Sequence, residues 1–300
     1  MSETTSHDLV VIGAGAAGLS AALEGLKAGL STAWLEAQMF GGLILNVNEL
    51  EGEIEGSGAE LSSTWMSDAM DLGGENLEGV VSGIEREGEV LVVVSDAGRH
   101  RAQAVIVASG AALKKLGVPG EAELEYKGVS HCADCDGPMF QGQDVVVVGG
   151  GDSALQSAMV LSRFCRRVHL VHRGSSFRAK PYWVDAVQAA GNVQVHWNSE
   201  VSEVLGTAGV EGARVNGEVV PCTGFLAFIG LEPATEFLPA VIARDERGAL
   251  FAAEGMETAM PGVFAAGIAR SGCGGSLADA VADGQAAARA AIARLAGTKA

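Results

Sequence analysis

The sequence has no run of about 18 uninterrupted apolar residues, so it offers no segment long enough to cross a bilayer as a helix, and no membrane partner is expected. Its first residues, MSETTSHD, lack the positive region and small-residue cleavage site of a secretory signal, which makes the cytoplasm the expected location. Basic residues are scarce: the formal net charge is −17 and no basic stretch is denser than RFCRRVHLVHR. An extended phosphate-binding surface is therefore not expected, nor is a nucleic acid partner. Cysteine is also sparse, at five (132, 135, 165, 222 and 273), an odd count without the dense spacing of a secreted disulfide framework. There is one C-x-x-C, no second copy, no pair of histidines at zinc-ligand spacing, and six scattered histidines. What remains is a chain of 300 residues, 48% hydrophobic and 19% charged, with length and balance for two soluble domains.

Residues 8 to 37, DLVVIGAGAAGLSAALEGLKAGLSTAWLEA, read as a buried strand, a glycine turn, an Ala- and Leu-rich helix and a second strand. Residues 143 to 174 repeat that pattern at an offset of about 136 residues, too long and too isolated for a solenoid, so two nucleotide-binding modules are expected. Residues 85 to 110 read as a β-meander returning to the first sheet, and residues 193 to 230 as a second meander. KKLGVPGEAEL (114 to 124) and ARDERGAL (243 to 250) interrupt apolar runs with charge, Gly or Pro and are expected to bracket an inserted domain. The chain closes on a strand, a glycine-rich turn and an Ala-rich helix, expected to return to the first domain.

The two glycine turns carry opposite charge. Gly13, Gly15 and Gly18 form G-x-G-x-x-G between a strand and a helix, so backbone amides and the helix N-terminus can face a pyrophosphate. Glu36 ends the next strand, where a carboxylate accepts hydrogen bonds from the ribose hydroxyls of FAD or NAD. In the second turn Gly149, Gly151, Asp152, Ser153 and Ala154 form G-x-G-x-x-A, followed by His172, Arg173 and Arg178, cations that suit a 2′-phosphate. Glycines in a merely tight strand-to-helix turn are the plainer reading of either motif, and the complementary charges argue against it.

Cys132 and Cys135 admit three readings: part of a metal site, two inert thiols, or a redox pair. Metal binding lacks partner ligands, whereas a C-x-x-C closes a short loop in which one sulfur becomes a competent nucleophile. Asp136 is placed to give or take the proton. His131 and Asp134 flank the pair but receive no role, because a histidine or aspartate in a surface loop is more often simply solvated. Cys165 in the apolar helix, Cys222 beside a turn and Cys273 in a glycine loop read as small hydrophobes or spectators.

The stretches GAGAAG, ASGA, KKLGVPGE, GVSHCADCDGP, GGGDSA, HRGSSFRA, FIGLEPAT and GVFAAG follow one another along nearly the whole chain. In that order the sequence resembles the low-molecular-weight thioredoxin reductase family, flavoproteins of the pyridine nucleotide-disulfide oxidoreductase class. The resemblance implies an α/β fold of two Rossmann-like, three-layer ββα nucleotide-binding domains, the second inserted into the first. It implies FAD on residues 1–117 and 245–300, NADPH on residues 118–244, and a homodimer whose inserted domain rotates. FAD contacts would fall on Gly13, Gly15, Ala16, Ala17, Gly18, Glu36, Gly41, Gly42, Gly110, Gly267, Ile268 and Ser276. NADPH contacts would fall on Gly149, Gly151, Asp152, Ser153, Ala154, His172, Arg173 and Arg178. Electrons would pass from NADPH through FAD to the Cys132–Cys135 disulfide, then to a thioredoxin-like protein or a low-molecular-weight disulfide. In that scheme Cys135 faces the flavin, Cys132 attacks the substrate, and Asp136 manages the proton.

Several positions depart from the family pattern. Ile268 stands where the family has Asp, Gly275-Ser276 where it has Arg-Gln, Leu43 where it has Gln, and EGEIEG (51 to 56) where it has Asn-aromatic-Pro-Gly. Gly174 replaces a common second Arg beside the 2′-phosphate cations. These departures motivate two alternatives: a relative fed by ferredoxin or passing dithiol electrons to oxygen, and a non-catalytic nucleotide-binding or redox-sensing protein.

Overall fold

The computed structural model describes residues 3–47, 50 and 56–298, so residues 51–55 of the EGEIEG stretch lie outside the described residues. The chain divides into two compact units, Met1–Ala112 with Glu232–Ala300, and Leu113–Leu231. It crosses between them within the strands Ala111–Leu113 and Leu231–Pro233, ahead of the expected crossings at 117/118 and 244/245. The charged and glycine-bearing stretches are turns inside the units. Leu116 and Val118 pack on the core of the second unit. Leu238 and Ile242 are buried in the first, where Arg244 donates to the carbonyls of Thr235 and Leu238 at 2.7 and 2.8 Å.

In the first unit a parallel sheet runs in the order Glu75–Glu78, Thr32–Glu36, Glu3–Ile12, Gly98–Val107. The last of these strands forks. Its early residues, Arg99 to Ala102, pair antiparallel with Val90–Ser95, which pairs in turn with Val81–Glu87; its end, Val105 to Val107, pairs parallel with Val263–Ala265. The meander and the C-terminal strand thus both return to the first sheet, as the sequence suggests. Leu9 and Val11 pack with Leu19, Ala287 and Ala291 of the helices, while Val10 and Ile12 pack with Leu91, Val93 and Ile242. A strand buried on both faces needs apolar residues at every position, which is why LVVI shows no alternation.

The second unit repeats this logic. Its parallel sheet has the order Val193–Trp197, Arg167–His172, Asp144–Gly149, Gly224–Phe228, Val129–Ser130. Val145 and Val147 meet Leu155, Ala158 and Leu161 of the helix Asp152–Ser162 on one face. Val146 and Val148 meet Val201, Val204 and Val215 of an antiparallel three-stranded sheet on the other. The second meander is confined to that sheet, residues 201 to 221; the segments on either side, Val193–Trp197 and Gly224–Phe228, belong to the parallel sheet instead. Cys165 lies just past the end of its helix rather than within it.

Candidate active site

The first glycine turn is built by close packing. Gly13 has φ +99°, and a Cβ there would come 2.4 Å from the carbonyl oxygen of Ala108. A Cβ on Gly18 would sit 1.8 Å from the carbonyl oxygen of Gly13, so the helix starts tight against the strand end. Ala16 and Ala17 are buried in its first turn. Gly41 donates to the carbonyl of Ala14 at 2.7 Å and Gly42 lies over Gly15, so the early Gly-Gly pair is brought to the turn. Gly267 closes from the other side, where a Cβ would meet that of Ala17 at 2.8 Å.

Glu36 accepts from the backbone amides of Ala14 (2.8 Å) and Gln38 (3.0 Å), which aim its carboxylate beside the glycine turn. Glu36, Ile12, Gly13, Ser109 and Ala234 line a cavity of about 530 Å³ within this unit. Gly110 accepts at its carbonyl from Ala234 at 3.0 Å. The glycine cradle, the shaped cavity and the carboxylate fit the adenosine diphosphate half of FAD. Ile268 is half-buried and brings no polar atom, and Ser276 is occupied as a cap, its hydroxyl 2.6 Å from the carboxylate of Asp279. A feature unreadable in the sequence stands nearby. Asp283 of the C-terminal helix accepts from the Gly267 amide at 3.2 Å and from two nitrogens of Arg270 at 2.7 and 2.9 Å. These partners are 13 and 16 residues apart, and only the docked helix reveals them.

The second turn lines a cavity of about 480 Å³ together with Ser199, Glu200 and Lys114. Gly149 and Ala154 pack the strand end against the helix, while nothing lies within 4 Å of a Cβ built on Gly151. Asp152 accepts from the Lys180 amide at 2.7 Å, and Ser153 is exposed. Arg173 and Arg178 both line the cavity, are exposed, and enter no ion pair among the described residues. His172 differs: its ring is buried over Gly150 and its Nε2 lies 3.0 Å from the carbonyl of Ser176. The open glycine and free guanidinium groups fit a dinucleotide bearing an extra phosphate. Lys114, absent from the sequence-based set, is a third cation in this cavity.

Cys132 and Cys135 form a disulfide at the start of the short helix Ala133–Asp136, which leaves the edge strand Val129–Ser130. Cys135 is exposed and Cys132 half-buried. The turn is pinned by Ala133 and Phe140, buried in the helix-side core, and by Ser130, whose hydroxyl accepts from the Cys132 amide at 3.2 Å. The Cys135 amide donates to the Cys132 sulfur at 3.1 Å. The other three cysteines are single. Burial, with the Asp144 charge second, pushes the Cys165 thiol up to about 11 and that of Cys222 to about 12. Burial also raises Cys273. Thiols protonated at neutral pH are poor nucleophiles, so redox chemistry concentrates on the pair. Among the described residues no group of His, Cys, Asp and Glu could hold a metal ion, and no helix is long and apolar enough to cross a membrane.

Comparison with known proteins agrees with this geometry. The model of the pyridine nucleotide-disulphide oxidoreductase family matches residues 7–287. Thioredoxin reductase of Listeria monocytogenes is 36% identical over 90% of this chain and 88% of its own length. The enzyme of that name from Bacillus subtilis is also 36% identical, over 96% and 95%. The crystal structure of Lactococcus lactis thioredoxin reductase superposes with a TM-score of 0.91 at 32% identity, covering 97% of this chain and 99% of that one. The chain belongs to the pyridine nucleotide-disulphide oxidoreductases and, within them, to the thioredoxin reductase family, whose enzymes work with FAD and NADPH.

Proposed function

We propose that this oxidoreductase draws on NADPH, through FAD, to reduce the Cys132–Cys135 disulfide, and that the resulting dithiol reduces a thioredoxin-like protein or a low-molecular-weight disulfide. The observation that carries this reading is the partition of charge and sulfur. Glu36 serves the first glycine turn, while free Arg173 and Arg178 share the second unit with the disulfide. When bound, NADPH and FAD supply two electrons as hydride chemistry. The chain's own residues do the rest. Gly13, Gly15 and Gly18 admit a pyrophosphate at the helix N-terminus, and Arg173 and Arg178 clamp a 2′-phosphate. Cys135 accepts electrons from the flavin side, Cys132 attacks the substrate disulfide, and Asp136 carries a proton. Residues 1–112 with 232–300 form the FAD domain and residues 113–231 the NADPH domain, in a cytoplasmic homodimer. The curated relatives, named thioredoxin reductases, support the choice of acceptor.

The test is the absorption spectrum of the purified flavoprotein under anaerobic conditions. NADPH should bleach the flavin band, with NADH much less effective; no bleaching with either would remove the donor assignment. Cys132→Ser should abolish disulfide reduction while leaving flavin bleaching intact. Dithiol-driven oxygen consumption without NADPH would instead favour the oxidase alternative.

A further inference from the structure

The second unit opens on two adjacent lysines, and the fold gives them different surroundings. Lys115 Nζ donates to Glu125 at 2.7 Å. Lys114 enters no ion pair among the described residues and lines the cavity of the second glycine turn. Its place in that cavity follows from the sheet. Phe228 pairs with Gly149 and Val171 with Val148, so three strand ends stand side by side with the glycine turn in the middle. Arg173 leaves the strand Arg167–His172 on one side of the turn, and the loop that follows brings the Arg178 amide to the carbonyl of Gly150 at 2.8 Å. Lys114 comes from the other side: its amide donates at 3.0 Å to the carbonyl of Gly230, just past the strand Gly224–Phe228. Of the cavity residues in segments 113–118 and 228–231, Lys114 is the one with a charged side chain. Asp152 begins the helix behind the turn, and Glu200 lies beside the Arg173 end, where the amides of Asn198 and Ser199 donate to Gly174 and His172. Among the Lys, Arg, Asp and Glu side chains lining the cavity, two carboxylates thus face three cations. Without Lys114 these charges would only balance, in a chain of formal charge −17 that repels polyanions at long range.

A dinucleotide lies outside the carboxyl ends of such a sheet, with its pyrophosphate at the helix N-terminus and its adenosine ribose at the end of the following strand. In this unit that rule assigns the adenosine side to Arg173 and Arg178, and the pyrophosphate to the open face of Gly151. The nicotinamide half is left for the Phe228 side, where the anionic group it brings is the phosphate on the nicotinamide ribose. We propose that Lys114 is the cation that binds this phosphate, so that the cavity holds its coenzyme by charge from both ends. The inference rests on the NADPH reading of this cavity and deepens it. It separates two tasks that the sequence leaves merged. Arg173 and Arg178 meet a phosphate that NADPH carries and NADH lacks, whereas Lys114 meets one that both coenzymes carry. Lys114 therefore adds affinity without adding preference between the two. A compact ammonium on a flexible stem suits a diphosphate oxygen, which needs no forked partner.

The experiment reads binding rather than turnover. The oxidised flavoprotein is titrated calorimetrically with NADP+, with NAD+ and with adenosine 2′,5′-bisphosphate, which lacks the nicotinamide half. The proteins are the wild type, Lys114→Met, Lys114→Arg and Arg173→Ala. Lys114→Met removes the charge from an exposed side chain and should weaken NADP+ and NAD+ alike, each about tenfold, while the bisphosphate stays within about twofold. Lys114→Arg should keep wild-type affinity for all three. Arg173→Ala should give the opposite pattern, weakening NADP+ and the bisphosphate and sparing NAD+. Coenzyme affinities left unchanged by Lys114→Met would overturn the proposal. So would a loss of bisphosphate binding equal to the loss of NADP+ binding, which would put Lys114 at the adenosine end. A wild type that binds no NADP+ would overturn the NADPH reading itself; NAD+ then still tests Lys114, and a protein that binds neither coenzyme overturns both.

Discussion

The two glycine turns perform the same backbone task and share a tight first glycine, Gly13 and Gly149, but differ at the third position. In the first, the third glycine is indispensable: Gly18 faces the carbonyl of Gly13 with no room for a methyl group. In the second, the third position holds Ala154, fully buried, so a methyl group fits there, while Gly149 is as tight as Gly13, its Cβ meeting the carbonyl of Phe228 at 2.4 Å. The charges differ in the same way. Glu36 is bonded to two backbone amides of its own unit, whereas Arg173 and Arg178 are held by no ion pair.

The strongest way to break this comparison is Gly18→Ala. The added methyl must displace helix or strand, so a loss of about 3 kcal/mol or more in unfolding free energy is expected, together with loss of bound flavin. Ala154→Gly should cost only about 1 kcal/mol. Denaturant unfolding and the flavin-to-protein absorbance ratio measure both, and equal costs would deny the asymmetry. Next in size is Arg173→Ala with Arg178→Ala. Losing two charge-assisted contacts should raise KM for NADPH by roughly a hundredfold and leave KM for NADH almost unchanged. A parallel rise for both coenzymes would mean that these cations do not read the 2′-phosphate.

A smaller effect concerns acid. In the second unit His169 Nδ1 lies 3.0 Å from His196 Nε2, and burial holds both imidazoles below the ordinary value of 6.5; for His169 the facing His196 adds to this. The first unit has His100, lowered by burial and by His7, between Thr5 and Ser95. Because the folded values lie below the unfolded one, the unfolded chain binds more protons as pH drops. Stability is therefore full above about pH 6.5 and declines as pH falls towards the folded values. His196→Gln should flatten that decline more than His100→Gln, as read by thermal midpoints across pH; the reverse order would place the acid-sensitive pair in the wrong unit.

Much of this was legible in the sequence because it is local. The runs LVVI and VVVV announce strands buried on both faces, and each glycine turn sits where a strand meets a helix. The crossings between units were not legible. Gly and Pro mark a turn equally well whether the chain is leaving a domain or folding within one, and only the packing of half-buried Leu116 on one core and the burial of Ile242 in the other decide. The middle of the 193 to 230 stretch reads as a meander, but the membership of its end strands depends on which neighbours cover them. The Arg270–Asp283 pair could not be read, because its partners lie on a loop and a helix brought together by packing. The place of Lys114 was hidden for the same reason: KKLG reveals two adjacent lysines but not that the first lines the cavity of the second turn while the other pairs with Glu125.

The forked strand Gly98–Val107 carries an implication for biosynthesis. One side of its fork is filled by Val263–Ala265, and the adjoining core needs Ala287 and Ala291 of the last helix. The first unit cannot close until residues 263–291 have been made, whereas the second is one continuous segment with both of its core layers complete by residue 231. Folding in order of synthesis therefore assembles the thiol-bearing insert first, and the flavin cradle is finished only when Val263–Ala265 and the helix Leu277–Thr298 join the earlier strands.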